Sequence, residues 1–152
     1  MLRTTADLHL SWDVPYEPGT LKAVGIKDGQ VALTVDVSTT GDPAVVDLSV
    51  DRNTIAADRR DVVHATLRIL DEAGRVVPVA NSEVTLEVEG NGRLIGMDNG
   101  DPTSHEDYKA NRRRAFNGMC LAIVQAAGKP GEIRLTASSP SLKQASVVIT
   151  TK

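Results

Sequence analysis

Asp61-Val62-Val63-His64-Ala65-Thr66-Leu67-Arg68-Ile69-Leu70 is the stretch whose reading sets the fold. Side chains alternate faces along a strand, so Val63, Ala65, Leu67 and Ile69 share one face and Val62, His64, Thr66 and Arg68 the other. The first set reads as core and the second as mostly wet. A sheet with one dry face requires this period of two, and no helical period of 3.6 competes with it.

The same alternation extends outward. Val84-Thr85-Leu86-Glu87-Val88-Glu89 puts Val84, Leu86 and Val88 inward, and Ile133-Arg134-Leu135-Thr136-Ala137 does so with Ile133, Leu135 and Ala137. A last strand runs from about Ala145 to Thr151. Between them lie turn residues: Glu72 to Arg75, Gly90 to Gly92 and Gly128 to Gly131. Asp28-Gly29 is a two-residue hairpin signal, because a type I′ turn needs positive φ. Ile55 to Arg60 and Asp107 to Asn117 read as loop or a single turn.

Thr39-Thr40-Gly41-Asp42-Pro43 is a candidate boundary. Residues 1–38 supply about three strands (His9 to Val14, Thr20 to Lys27, Gln30 to Val37), too few for a sandwich, and read as the C-terminal strands of a truncated β-domain. Residues 44–152 supply roughly seven short strands, many at ~10-residue spacing, the pattern of an immunoglobulin-like β-sandwich. The fold class is therefore all-β, an immunoglobulin-like sandwich preceded by a partial β-domain.

The chain has 152 residues and a net charge of −3, with Lys and Arg dispersed. This excludes the clustered positive charge of a nucleic-acid footprint. The longest basic run, Arg112 to Arg114, reads as a solvated loop or a partner for acids such as Asp107. No apolar stretch approaches the ~20 residues of a membrane helix. Met1 to Leu10 lacks the apolar centre of a signal peptide, so an export signal, if used, is expected upstream. The one cysteine, Cys120, sits in an apolar run and reads as a small buried hydrophobe.

Two motifs carry a resemblance. Leu8 to Gly25, with the Asp28-Gly29 turn after it, contains Trp12, Pro15, Tyr16, Pro18, Gly19, Leu21, Ala23 and Val24 in order. It resembles the last strands of the small β-domain that follows the catalytic barrel in family 2 glycoside hydrolases of the β-galactosidase type. There, a Trp strand precedes a Pro-aromatic-x-Pro-Gly turn and a Leu-x-Ala-Val strand. From about Ala44, the chain is similar to the terminal domain of that family, itself similar to bacterial adhesin repeats. The segments concerned are Leu48 to Asp58, Gly74 to Pro78, Gly96 to Pro102 and Arg114 to Gly118. The resemblance implies a non-catalytic accessory region of a larger enzyme that is periplasmic or extracellular. Its implied partner is the catalytic barrel, whose two catalytic glutamates have no counterpart here.

Seven Glu and thirteen Asp are present, but glycoside hydrolysis needs two carboxyls held ~5–10 Å apart across a sugar. Glu87 and Glu89 share the outward face of one strand. Asp98-Asn99-Gly100-Asp101 with His105-Glu106-Asp107 is rich in oxygen ligands, yet lacks EF-hand spacing and explains itself as turns. His9, His64 and His105 show no zinc spacing, and His64 reads as a surface or interdomain contact. No cofactor or metal is expected. Trp12 keeps step with Leu8, Leu10 and Val14 and reads as core or interdomain. The residues singled out for interdomain or sugar contact are Trp12, Tyr16, His105, Tyr108 and Arg113. The long stretch from Asp98 to Asn117 is the most function-like feature, since long ordered loops tend to carry function. Three roles follow: an accessory module, an adhesin-type repeat and a carbohydrate-binding module. Residues 1–38 are expected to pack on the second domain or to self-associate, because a few unpartnered strands expose edges and apolar surface.

Overall fold

A computed structural model describes residues 9–152. The chain divides into two compact units, residues 1–39 and 40–152.

In the first unit, β1 (Thr20–Lys27) and β2 (Gln30–Ser38) form an antiparallel hairpin. Asp28 and Gly29 turn the chain with φ of 52° and 79°, the left-handed geometry that Asp-Gly tolerates. Register places Leu21 opposite Val37, Ala23 opposite Val35 and Gly25 opposite Leu33, all on one face, before a bulge between Gly25 and Ile26 shifts it. One face is thus wholly apolar. The other carries Lys22 and Asp36 as an ion pair at 3.8 Å and the Thr20 and Ser38 hydroxyls at 2.8 Å.

The expected strand from His9 to Val14 is not formed: residues 9–17 are irregular. Trp12 is 60% exposed rather than core. The physical reason is that no described strand lies beside this segment to complete a ladder, and Pro15 and Pro18 have no amide hydrogen to donate to one. Leu8, the first residue of the alternation that suggested the strand, lies outside the described residues.

The second unit is a sandwich. Its strands are β3 (Val45–Val50), β4 (Thr54–Ile55), β5 (Val62–Leu70), β6 (Glu83–Gly90), β7 (Gly92–Asp98), β8 (Arg112–Arg114), β9 (Met119–Ala126), β10 (Gly131–Ser138) and β11 (Ala145–Thr151). They assemble into a five-stranded sheet, β4-β11-β10-β6-β8, and a four-stranded sheet, β3-β5-β9-β7. The two strands beyond the expected seven are short edges. Ile55, read from sequence as loop, joins β4 and is buried beside β11.

The core is the alternation made solid. Val63, Ala65, Leu67 and Ile69 of β5 and Ile133, Leu135 and Ala137 of β10 are fully buried. Val84 and Leu86 of β6 and Ala122 and Val124 of β9 fill the same layer. Cys120 lies in it too, and burial pushes its thiol up to about 12, so it packs as a thiol rather than reacting as a thiolate.

Corners that switch sheets need special residues. Between β6 and β7, Gly90 has φ of 87°, and a Cβ there would meet the Glu132 carbonyl oxygen at 2.2 Å. Only glycine fits. The Asn91 amide then donates to that same carbonyl at 2.9 Å.

Asp71, at the end of β5, ties two chain segments together. Its carboxylate accepts from the Arg75 amide at 2.8 Å and the Gly41 amide at 2.9 Å. Those two amides hold its pKa below the ordinary value of 3.8. Asp58 is lowered in the same way by the Asp61 and Arg60 amides, each at 2.8 Å.

Three outcomes are expected. Leu67→Ala should destabilise the sandwich by about 2–5 kcal/mol in denaturant unfolding, because it opens a cavity in a fully buried layer. Thr66→Ala, on the outward face, should cost under about 1 kcal/mol. A depressed carboxylate stabilises the fold above its unfolded pKa, and that stability is lost as pH falls through the folded pKa. Asp71→Asn should therefore cost stability at neutral pH and flatten the fall in melting temperature below about pH 4. An unchanged acid slope would refute the role of Asp71.

Candidate functional site

The site is built on the connection between β7 and β8. It is a chain of small side-chain-capped turns. The Asp98 carboxylate accepts the Asn99 amide at 2.7 Å, Asp101 accepts the Thr103 amide at 2.8 Å and hydroxyl at 2.7 Å, and Asp107 accepts the Lys109 amide at 2.8 Å. The Thr103 hydroxyl, followed by its amide, lowers the pKa of Asp101. The Asp98-to-Asp107 carboxylates are thus largely committed to local donors. Among the described residues no group of three or more His, Cys, Asp or Glu side chains is arranged to hold a metal.

Arg113 is the centre of the connection. It pairs with Val84 across β6 and β8, so its side chain points to the interior face. Its exposure is 0%. Of the two readings of Arg112 to Arg114, a solvated loop or a partner for nearby acids, the first is corrected and the second holds for Arg113, with Asp98 and Glu106 in place of Asp107: the run is an edge strand, with Arg112 and Arg114 out and Arg113 in. Burial also removes Arg113 as a direct sugar or interdomain contact, because nothing outside can touch it.

The guanidinium is gripped from several directions. Nη1 donates to the Glu106 carbonyl at 3.1 Å, and Nη2 donates to Asp98 Oδ1 at 3.2 Å and to Ser104 Oγ at 3.4 Å. Glu106 Oε2 lies 3.9 Å from Nε, near enough to offset charge but too far to bond, and Nε has no hydrogen-bond partner. The Tyr108 ring stacks on the guanidinium with its centroid at 4.5 Å, a cation–π contact. The backbone is pinned as well: the Met97 amide donates to the Tyr108 carbonyl at 2.7 Å and the Leu86 amide to the Asn111 carbonyl at 2.8 Å.

Of the residues singled out from sequence, Tyr108 and Arg113 are in contact. His105 is exposed on the same connection. Trp12 and Tyr16 are exposed residues of the first unit, Tyr16 at 79%. Sequence reasoning missed Asp98, Ser104 and Glu106 as the partners of Arg113. One signal was available: Arg113 keeps step with Ala115, which is also buried. His64 is held by Asp51, through its amide to Oδ1 at 2.9 Å and its Nδ1 to Oδ2 at 3.2 Å. Partial burial works to raise the Asp51 pKa, but the His64 bonds outweigh it and the net shift is downward.

Fold and site together define an immunoglobulin-like β-sandwich with one long, internally braced loop. The sequence profile of glycoside hydrolase family 2 C-terminal domain 5 matches residues 46–148, more than half of the chain. A domain of unknown function (DUF4982) matches residues 2–33. A β-galactosidase of Bacteroides ovatus, BoGH2A, is 42% identical over 139 residues, covering 91% of this chain and 16% of that protein. A β-galactosidase of Thermoanaerobacter pseudethanolicus is 33% identical over 141 residues, covering 92% and 17%. A solved glycosyl hydrolase family 2 member from Bacteroides cellulosilyticus superposes with a TM-score of 0.95 at 35% identity, over 99% of this chain and 20% of that one. The D00-D0 domain of intimin shares the fold alone, with a TM-score of 0.55 at 16% identity. The chain belongs to the glycoside hydrolase family 2 C-terminal domain 5 family. It spans about a sixth of the length of these two β-galactosidases.

Arg113→Met should leave the sandwich folded while freeing the loop. Hydrogen exchange at the Met97, Thr103 and Lys109 amides should quicken at least about tenfold, with global stability changed by less than about 2 kcal/mol, since Asp98 and Glu106 can be rehydrated. Arg113→Lys should loosen the loop similarly, because an ammonium lacks the planar fork. Unchanged exchange in both variants would remove Arg113 as the clamp.

Proposed function

We propose that this chain is the non-catalytic C-terminal accessory region of a longer family 2 glycoside hydrolase that acts on β-linked sugars. Its role is to support or position the catalytic barrel. The observation that carries the reading is span: the matched β-galactosidases are about six times longer, and the profile that matches residues 46–148 is that of a C-terminal domain.

The carboxylates support it. A glycosidase acid works with a raised pKa. Among the described residues, Asp51, Asp58, Asp71 and Asp101 are the carboxylates with a resolved shift, and each is lowered. They are ionised acceptors for local donors, suited to bracing turns rather than to delivering protons.

The same reading accounts for the hairpin. Leu21, Leu33, Val35 and Val37 on its apolar face are 50–64% exposed. An isolated two-stranded ribbon is marginally stable in water. In the parent, further strands of the same β-domain would cover this face. In the chain by itself, the alternatives are packing on the sandwich or pairing between copies.

The purified chain should release no nitrophenol from a nitrophenyl β-galactoside above the buffer blank. The parent lacking residues 40–152 should melt at least several degrees lower than the intact enzyme. Turnover by the chain alone would sink the reading, as would an upstream reading frame that encodes more immunoglobulin-like repeats instead of a barrel.

A further inference from the structure

We propose that Tyr108 is a stacking platform for a neutral β-linked sugar, held in place by the buried Arg113. This rests on the family reading above and adds a binding site to it.

The first support is the loop itself. The connection from residue 99 to residue 111 could be far shorter if it only joined β7 to its neighbours, since most loops run to about 4–6 residues. Instead it is long, and a fully buried guanidinium fixes it. Burying that charge is costly even with partners, and replacing such an ion cluster by apolar side chains is often neutral or stabilising. A core residue at position 113 would serve stability at least as well. What Arg113 adds is a fixed loop conformation, the property a recognition surface needs.

The second support is what the fixed loop presents. Tyr108 is 55% exposed although its ring rests on the guanidinium. The ring is immobilised from one side and available to a ligand on the other. Aromatic rings of this kind offer a sugar's C–H face a large contact at small conformational cost. His105 and Lys109, near it in sequence, are exposed as well, and no hydrogen bond or ion pair between side chains engages the His105 imidazole or the Lys109 ammonium among the described residues. They supply the few polar groups that would orient hydroxyls.

The third support bears on which sugar. Residues 98–114 carry four acids (Asp98, Asp101, Glu106, Asp107) and four bases (Lys109, Arg112, Arg113, Arg114), so the segment has no net charge with which to draw in a uronate. A neutral hexose fits this segment better than a uronic acid.

The test is a nuclear magnetic resonance titration of the whole 152-residue chain with lactose, cellobiose and glucuronate. Lactose or cellobiose should give saturable shifts centred on residues 104–109, with half-saturation on the order of 1–10 mM. Tyr108→Ala should weaken the response at least about tenfold, Tyr108→Phe should retain it, and Arg113→Met should weaken it by loosening the platform. Absence of a saturable response to either disaccharide, an undiminished response in Tyr108→Ala, or glucuronate binding as tightly as lactose would each overturn the proposal. The two readings fail separately. A parent without a barrel sinks the accessory role whatever the titration gives, whereas a null titration beside an active full-length enzyme sinks only the platform.

Discussion

Residues 40–152 hold together only if the apolar layer between two sheets stays dry on both sides. Every other feature of the unit answers to that constraint. It requires β5, β6, β9 and β10 to keep strict alternation, since a slip of one residue would turn Leu67 or Leu135 to water and Arg68 or Arg134 to the core. It requires corners where the chain changes sheet without leaving amides unpaired. Gly90 provides one, with a backbone that no side chain could share and an amide neighbour bonded to the Glu132 carbonyl. It also requires the open ends of the layer to be closed. Asp71 draws the segment at Gly41 against the end of β5, and β8 with its loop covers the side of β6.

Arg113 shows how a charge can sit in such a boundary. Pairing with Val84 fixes its direction inward, so the guanidinium has to find its partners inside the loop that follows β7. Asp98, Ser104 and the Glu106 carbonyl supply them, and Tyr108 covers the flat face. The loop is therefore folded around a residue of the sheet, which makes it part of the sandwich rather than a tether between strands. Asp98 and Glu106 remain partly exposed, so removing the cation need not strand a buried anion. The energetic stake of the cluster lies in loop order more than in global stability.

Period-two reading was sufficient wherever one face was dry. The inward sets of β5, β6 and β10 and the limits of β11 were legible because each side chain's fate depended on parity alone. It failed where burial depended on partners far along the chain. Trp12 alternates with apolar neighbours as a strand residue should, yet residues 9–17 have no ladder and the indole is exposed. Arg113 looked solvated because arginine usually is, and its acceptors are set by a loop conformation that no local pattern encodes. The two short edges, β4 and β8, were missed because two or three residues carry no periodicity.

The hairpin of the first unit poses the opposite problem from the sandwich. Its pattern is unambiguous: a type I′ turn at Asp28-Gly29, aliphatic residues on one face, and Lys22 with Asp36 on the other. Local sequence fully specifies a ribbon with a dry side. Two strands cannot keep that side dry, because a ribbon covers only one face of its own apolar row and leaves both edges unpaired. A sequence so consistent at the local level is selected in the presence of whatever completes it. The segment is matched within proteins several times longer, and under the accessory-region proposal the completing surface comes from further strands of the same β-domain.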